Sequence, residues 1–131
     1  MARAIVDSNV LVAIVRENDE LHKKAMGLIK KIKGRYELWV LNLVIQESAT
    51  VVSMRDGMDA AKVFYSGYEN MIDIEVRLDE EVEGMTWEIF LKQKKKGTSF
   101  IDCANLAVIE KYKLDGIITF DEFYPKELMI Q

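Results

Sequence analysis

The sequence predicts an α/β protein with a mostly parallel sheet, and three observations lead to this prediction. Short apolar segments alternate with longer amphipathic ones along the whole chain. Strands that are separated by helical segments need crossover connections, which make the strands parallel and cover the sheet with helices. The chain has 131 residues, one proline and no linker rich in glycine or serine, so we expect a single domain over 1–131.

The individual elements follow from the spacing of apolar residues. Short apolar runs and period-two alternation indicate strands, whereas apolar residues three and four positions apart indicate helices. Gly34 and Gly97 are expected to end the helices that precede them. The predicted strands are 3–7, 37–42, 71–76 and 116–120. The predicted helices are 9–16, 19–33, 43–55, 57–67, 79–96 and 100–113.

The composition excludes several classes of protein. The formal charge is −4, from 22 acidic and 18 basic residues, so no overall positive field attracts nucleic acid or an anionic membrane. A basic run at Lys94, Lys95 and Lys96 is either a local contact for a nucleic-acid backbone or a solvated surface. One cysteine and one histidine make a zinc site implausible. Without a signal peptide or a long apolar segment, we expect a soluble, cytoplasmic protein with no membrane partner.

Four carboxylates occur where apolar or neutral residues are expected. Asp7 follows the first predicted strand and Asp121 follows the last, so a parallel sheet brings both to one edge. Glu47 lies on the helix face that otherwise carries core residues. Asp102 lies in the first turn of a predicted helix that is apolar almost all round, and Asn105, one turn on, is a possible hydrogen-bond partner for it.

Each carboxylate also has a purely structural explanation. An acid after a strand can cap the next helix, an acid in the first turn complements the helix dipole, and a slight rotation brings a helical glutamate to solvent. Buried carboxylates need a compensating charge, however, and no Lys or Arg occurs within 4–15, 38–54 or 100–109. A hard divalent cation, Mg²⁺ or Mn²⁺, is the compensating charge that suits oxygen ligands.

The chemistry that fits this pattern is metal-assisted hydrolysis of phosphodiesters. The single histidine leaves no histidine pair for acid–base cleavage of RNA, and no glycine falls in a phosphate-binding loop. Acidic residues that hold one or two ions, about 3.5–4 Å apart when there are two, can generate hydroxide and stabilise the oxygens at phosphorus. The lysine run could then contact the backbone of the polyanionic substrate.

Four motifs together resemble a known family. They are IVDSNVLVAI near the N-terminus, VIQESA, SFIDCANLAVIEKY and IITFDEF, in that order. In this combination the chain resembles the PIN-domain nucleases, and its length resembles the VapC-type toxins of toxin–antitoxin pairs. The resemblance implies a Rossmann-like, three-layer α/β/α sandwich. It also implies an endoribonuclease that depends on Mg²⁺, or on Mn²⁺ as a substitute, and leaves 5′-phosphate and 3′-hydroxyl ends.

The resemblance also implies roles for individual residues. Asp7 and Asp102 would be direct metal ligands, and Glu47 would be a ligand or the base for the attacking water. Asp121 would bind a second ion directly or through water. The residues implied as supporting hydrogen-bonders are Ser8, Asn9 and Thr119.

The partners implied by the resemblance are an RNA substrate, a second copy in a homodimer formed by the middle helices, and a cognate antitoxin. Three alternatives stay open at the level of sequence. One is an RNA-processing PIN nuclease without an antitoxin, and another is a PIN fold that serves only for RNA binding or scaffolding. The third is a receiver-like Mg²⁺-binding signalling domain, which also carries acids at the ends of parallel strands.

Overall fold

The computed structural model describes every residue, 1–131. Its four strands are β1 (Ala2–Val6), β2 (Tyr36–Leu41), β3 (Ile74–Val76) and β4 (Gly116–Ile118). Its six α-helices are α1 (Ser8–Val15), α2 (His22–Ile32), α3 (Asn42–Asp56), α4 (Met58–Gly67), α5 (Glu80–Leu91) and α6 (Phe100–Tyr112). Single 3₁₀ turns occur at Tyr68–Asn70 and Lys126–Leu128. None of the helices has the length and apolar character that a membrane span requires.

The strands form one parallel sheet in the order β3-β2-β1-β4. The chain steps from β1 to β2 and on to β3 in one direction, so right-handed crossovers put α1 to α4 on one face. The step from β3 back to β4 runs in the other direction and puts α5 and α6 on the opposite face, where they pack against each other. The predicted fold class, a three-layer α/β/α sandwich, is confirmed.

Strand order reverses between β1 and β4, and this reversal positions the site. β1 pairs with β4 in the register that sets Val6 beside Ile118, and the amide of Asp7 donates to the carbonyl of Ile118 at 3.0 Å. The residues that follow these two strands are therefore neighbours, although more than a hundred positions separate them in sequence. Crevices at such reversals, beyond the carboxyl ends of the strands, are the usual ligand sites of open α/β sheets.

The central strands are apolar because helices cover both of their faces. Ala4, Ile5 and Val6 of β1 are completely buried, and Trp39 of β2 packs against Tyr112 of α6 with ring centroids 5.2 Å apart. The core thus holds α6 against the sheet, so the side chains at the ends of β1 and α6 have a rigid support.

Two elements begin three residues later than predicted. Helix α2 begins at His22, because the carboxylate of Asp19 accepts the amide of Leu21 and forms a turn first. Strand β3 has only three residues, because the side chain of Asp73 instead of a backbone carbonyl accepts the amide of Leu38. These side chains compete locally with regular backbone pairing.

The lysine run is not helical, contrary to the prediction. Helix α5 ends at Leu91, and Lys94, Lys95 and Lys96 lie exposed in the loop before α6. Adjacent cations repel one another, and this segment offers no apolar face that would bury against the sheet. The loop leads directly into the N-terminus of α6, which carries Asp102.

Gly116 begins β4 where the C-terminal segment runs beside it. A Cβ at this position would collide with the carbonyl oxygen of Leu128 and lie 3.0 Å from Cδ1 of Ile130. Because the first of these atoms is backbone and cannot rotate away, we expect Gly116→Ala to lower the free energy of unfolding by about 1–3 kcal/mol in urea denaturation. Gly84→Ala in α5, where nothing lies within 4 Å, is the control and should raise it by about 0.5–1 kcal/mol. Equal effects of the two substitutions would contradict this account.

Candidate active site

Asp7 lies at the carboxyl end of β1 and is the N-cap of α1. Its Oδ1 accepts the amide of Ser8 at 2.8 Å, and its Oδ2 accepts the hydroxyl of Thr119 at 2.9 Å. The capping explanation is therefore correct as a description of the geometry. It does not account for the burial, because the side chain is only 3% exposed and an N-cap can face solvent.

Burial raises the pKa of the Asp7 carboxyl from 3.8 to about 6. The hydrogen bonds from Thr119 and Ser8 lower this pKa, whereas the negative charges of Asp102 and Glu47 raise it further. A buried carboxylate with acidic neighbours is electrostatically unfavourable, and a cation would relieve it.

Asp102 lies in the first turn of α6 but does not cap it. The N-cap is Ser99, whose hydroxyl oxygen accepts the amide of Ile101 at 3.1 Å. Asp102 is half-buried, and its Oδ1 accepts the hydroxyl of Tyr124 at 3.0 Å. Burial raises the pKa of its carboxyl, and the charges of Asp121 and Glu47 add to the shift. Capping is thus excluded as the role of this aspartate, whereas its place in the first turn still agrees with the helix-dipole explanation.

Glu47 and Asp121 lie at the more open side of the cluster. Glu47 is half-buried on α3, next to the buried Ser48, and lines a cavity of about 570 Å³ together with Ser8 and Asn9. Asp121 is exposed, and its Oδ1 accepts the amide of Phe123 at 2.9 Å. The four acids are thus coupled electrostatically, because the charges of Glu47 and Asp102 act on Asp7 and those of Glu47 and Asp121 act on Asp102. They differ in burial, from the buried Asp7 to the exposed Asp121.

The neutral residues hold the ends of β1 and β4 together. Asn9 donates through Nδ2 to the hydroxyl of Thr119 at 3.2 Å and accepts the amide of Phe120 at 3.1 Å. The same threonine hydroxyl accepts the amide of Asp121 at 2.9 Å. Thr119 therefore connects the two strand-end aspartates, because it donates to Asp7 and accepts from Asp121.

Asn105 has a different partner from the one its spacing suggested. Its Nδ2 lies 3.4 Å from Oδ1 of Asp7 and donates to the hydroxyl of Tyr124 at 3.1 Å, and no bond to Asp102 forms directly. Tyr124, which is 2% exposed, instead connects Asn105 to Asp102 through its hydroxyl. Sequence reasoning missed Tyr124, since a tyrosine in the segment FDEFYPK carries no periodic signal that marks its hydroxyl as internal.

The residues of the site fit a hard cation. Their donor atoms are carboxylate and hydroxyl oxygens, and none of the six ion pairs of the molecule involves an acid of the cluster. The buried Oδ1 of Asn105 also has no hydrogen-bond partner. As they stand, no three acidic side chains lie close enough together to hold a metal ion, so a third ligand would have to come from the more open acids, Glu47 or Asp121, after side-chain rotation.

The chain matches the PIN domain family over residues 4–126 and therefore belongs to it. Among solved structures, it is similar to the Mycobacterium tuberculosis toxin VapC20, described as cleaving the sarcin–ricin loop, with a TM-score of 0.77 and 21% identity. That match covers 92% of this chain and 91% of the other.

It is also similar to a chain of a toxin–antitoxin complex from Klebsiella pneumoniae, with a TM-score of 0.65 and 12% identity over 98% of this chain and 96% of the other. No curated protein sequence matches this chain at a significant level. At these identities the structural matches establish the fold alone. The receiver-like alternative is wrong, because the family is the PIN domain.

Proposed function

We propose that this protein is a divalent-metal-dependent endoribonuclease of the VapC toxin type. The observation that carries the proposal is the burial of Asp7 beside Asp102 and Glu47 without a basic partner. Membership of the PIN domain family and the shared fold with toxin structures support the same conclusion.

Each acid has a role that suits its environment. Asp7 and Asp102, the two with raised pKa values, would hold Mg²⁺ or Mn²⁺ through carboxylate oxygens. Glu47 faces the cavity, where it would serve as a ligand or accept a proton from the attacking water. Asp121 is exposed and would bind a second ion directly or through water. The ion, once bound, would lower the pKa of a water molecule and stabilise the oxygens at phosphorus.

The loop between α5 and α6 carries positive charge and leads into the helix that bears Asp102. Lys94, Lys95 and Lys96 are exposed there, and Lys96 precedes Asp102 by one short loop and the first residues of α6. Contacts from these lysines to phosphates would offset the repulsion between RNA and the acidic site.

Protein partners are expected at the helices α3 and α4. Val52 and Phe64 face the core, whereas the large apolar side chains left exposed on these helices are Met54, Met58, Val63 and Tyr65. An apolar surface of this kind suits a homodimer contact or an antitoxin. The similarity to a chain of a toxin–antitoxin complex supports the expectation of an antitoxin partner. Without such a partner, the protein would be an RNA-processing nuclease with the same chemistry.

The first test of the proposal is removal of metal. We expect the purified protein to cut RNA in the presence of Mg²⁺ or Mn²⁺ and to lose this activity in EDTA, because buried carboxylates alone cannot activate water. Total RNA serves as substrate, and new ends are mapped by ligation of an adaptor that requires a 5′-phosphate. Readdition of Mn²⁺ in excess of EDTA should restore the same cleavage sites. Cleavage that persists in EDTA would refute the metal-dependent mechanism.

A further inference from the structure

Tyr124 lies in the segment after β4 that folds back over the acidic cluster. Its ring is buried, and it packs edge-on against Phe123 with centroids 5.1 Å apart. The hydroxyl of such a tyrosine must find hydrogen-bond partners inside the protein, because water cannot reach it. The partners that it finds are Asp102 of the acidic cluster and Asn105, which also contacts Asp7.

The hydroxyl of Tyr124 links the two aspartates that are the proposed metal ligands. It donates to Oδ1 of Asp102 at 3.0 Å and accepts Nδ2 of Asn105 at 3.1 Å. The same Nδ2 lies 3.4 Å from Oδ1 of Asp7. A continuous chain of hydrogen bonds therefore runs from Asp102 on α6 to Tyr124 in the C-terminal segment, returns to Asn105 on α6 and ends at Asp7 after β1. We call it the Tyr124 relay, and its members are Asp102, Tyr124, Asn105 and Asp7.

The relay selects which carboxylate oxygen is available. The tyrosine hydroxyl is directed at Oδ1 of Asp102, which leaves Oδ2 as the oxygen that is available to a cation. A carboxylate without such a donor is free to rotate and present either oxygen, and holding it in one orientation lowers the entropy cost of coordination. At Asp7 the amides of Asn105 and Ser8 hold Oδ1 and the hydroxyl of Thr119 holds Oδ2, so this carboxylate is fixed in orientation through both of its oxygens.

We infer that Tyr124 is a positioning residue, which sets the orientation of Asp102 for a divalent cation and couples it to Asp7 through Asn105. This inference rests on the proposed function, because it assumes that the acidic cluster binds a metal ion. Tyr124 itself contacts neither substrate nor metal in this role. Its effect is therefore expected in the affinity for the ion more than in the affinity for RNA.

The test compares two buried tyrosines that each donate to a carboxylate. Tyr124→Phe removes the hydroxyl of the relay, and Tyr68→Phe removes a hydroxyl that donates to Oε1 of Glu75 at 2.6 Å, away from the acidic cluster. We expect Tyr124→Phe to weaken Mn²⁺ binding by about tenfold to a hundredfold, as the loss of groups that orient metal ligands does. Tyr68→Phe should leave the Mn²⁺ affinity at the wild-type value. Free Mn²⁺ is followed by its electron paramagnetic resonance signal, without RNA.

The outcomes separate the inference from the proposed function. A Tyr124→Phe protein that melts at a lower temperature but binds Mn²⁺ with wild-type affinity overturns the inference, since the hydroxyl would then be merely structural. Failure of the wild-type protein to bind Mn²⁺ overturns both the inference and the proposed function. If Tyr124→Phe does not fold, Asn105→Ser interrupts the relay at its second link. We expect weaker Mn²⁺ binding in that variant too, and unchanged affinity there would equally overturn the inference.

Discussion

Asp102→Asn is expected to reduce metal-dependent RNA cleavage by more than about a hundredfold. The loss of residues that merely orient metal ligands costs 10–100-fold, so the loss of a ligand charge should cost more. Asparagine retains the size of the side chain and an oxygen that accepts the hydroxyl of Tyr124. The variant should therefore fold normally, and its loss of activity should reflect the missing charge. Initial rates of cleavage at saturating Mg²⁺ measure the effect.

Glu110→Gln is the matched control for this substitution. Glu110 is exposed on the same helix, about two turns beyond Asp102, and forms none of the ion pairs of the molecule. The control removes the same charge from α6 and should retain wild-type activity. Equal rates for wild type and Asp102→Asn would end the assignment of Asp102 as a ligand.

Asp7→Asn is expected to stabilise the protein by up to about 3 kcal/mol at pH 7.5 in EDTA. Burial raises the pKa of this carboxyl from 3.8 to about 6, and each pKa unit corresponds to about 1.4 kcal/mol. The folded state thus disfavours the charged form, which the substitution removes. Asparagine keeps an oxygen for the amide of Ser8 and is a good N-cap residue. Urea denaturation at constant ionic strength gives the free energy of unfolding.

The difference in stability between the two proteins depends on pH, and its direction follows from the raised pKa of Asp7. Because the folded pKa of Asp7 lies above the unfolded value, its contribution to stability is fully present below about pH 4. It is lost as the pH rises through 6, and the neutral asparagine shows no such loss. The two proteins should therefore be about equally stable at pH 4 and should differ most above pH 7. A variant that is less stable than wild type at pH 7.5 would show that the hydrogen bonds of Asp7 outweigh its burial.

Asp79→Asn is a control for which we expect a change in stability of the opposite sign. Asp79 caps α5 by accepting the amide of Val82 at 2.8 Å, and it forms an ion pair with Lys111 at 3.3 Å. The hydrogen bond from Val82 and the charge of Lys111 lower the pKa of its carboxyl. Asp79→Asn should therefore destabilise the protein slightly at neutral pH, with a difference that disappears as the pH falls. Both substitutions replace an N-cap aspartate, so only the environment of the charge distinguishes them.

The sequence predicted the layers, the parallel sheet and the position of Asp7 and Asp121 after strands that end at the same edge of the sheet. Apolar runs and helical spacing are local properties, and the crossover rule converts their order into topology. Asp7 and Asp121 could be recognised because the end of a strand has a known direction in a parallel sheet. The predicted helix over the lysine run was wrong because helical spacing does not show where burial of a face ceases.

What the amino-acid order determined by itself is the architecture and the identity of the acidic residues, because periodicity and strand direction need no knowledge of distant contacts. The tertiary structure alone decided how deeply each acid is buried and which groups donate to it. Asp7 is buried and Asp121 is exposed, although both follow parallel strands. The partner of Asp102 is a tyrosine on a different segment, and the identity of that partner depends on how the C-terminal segment packs over the sheet edge. Hydrogen bonds between segments are selected by packing, and packing is a property of the whole fold.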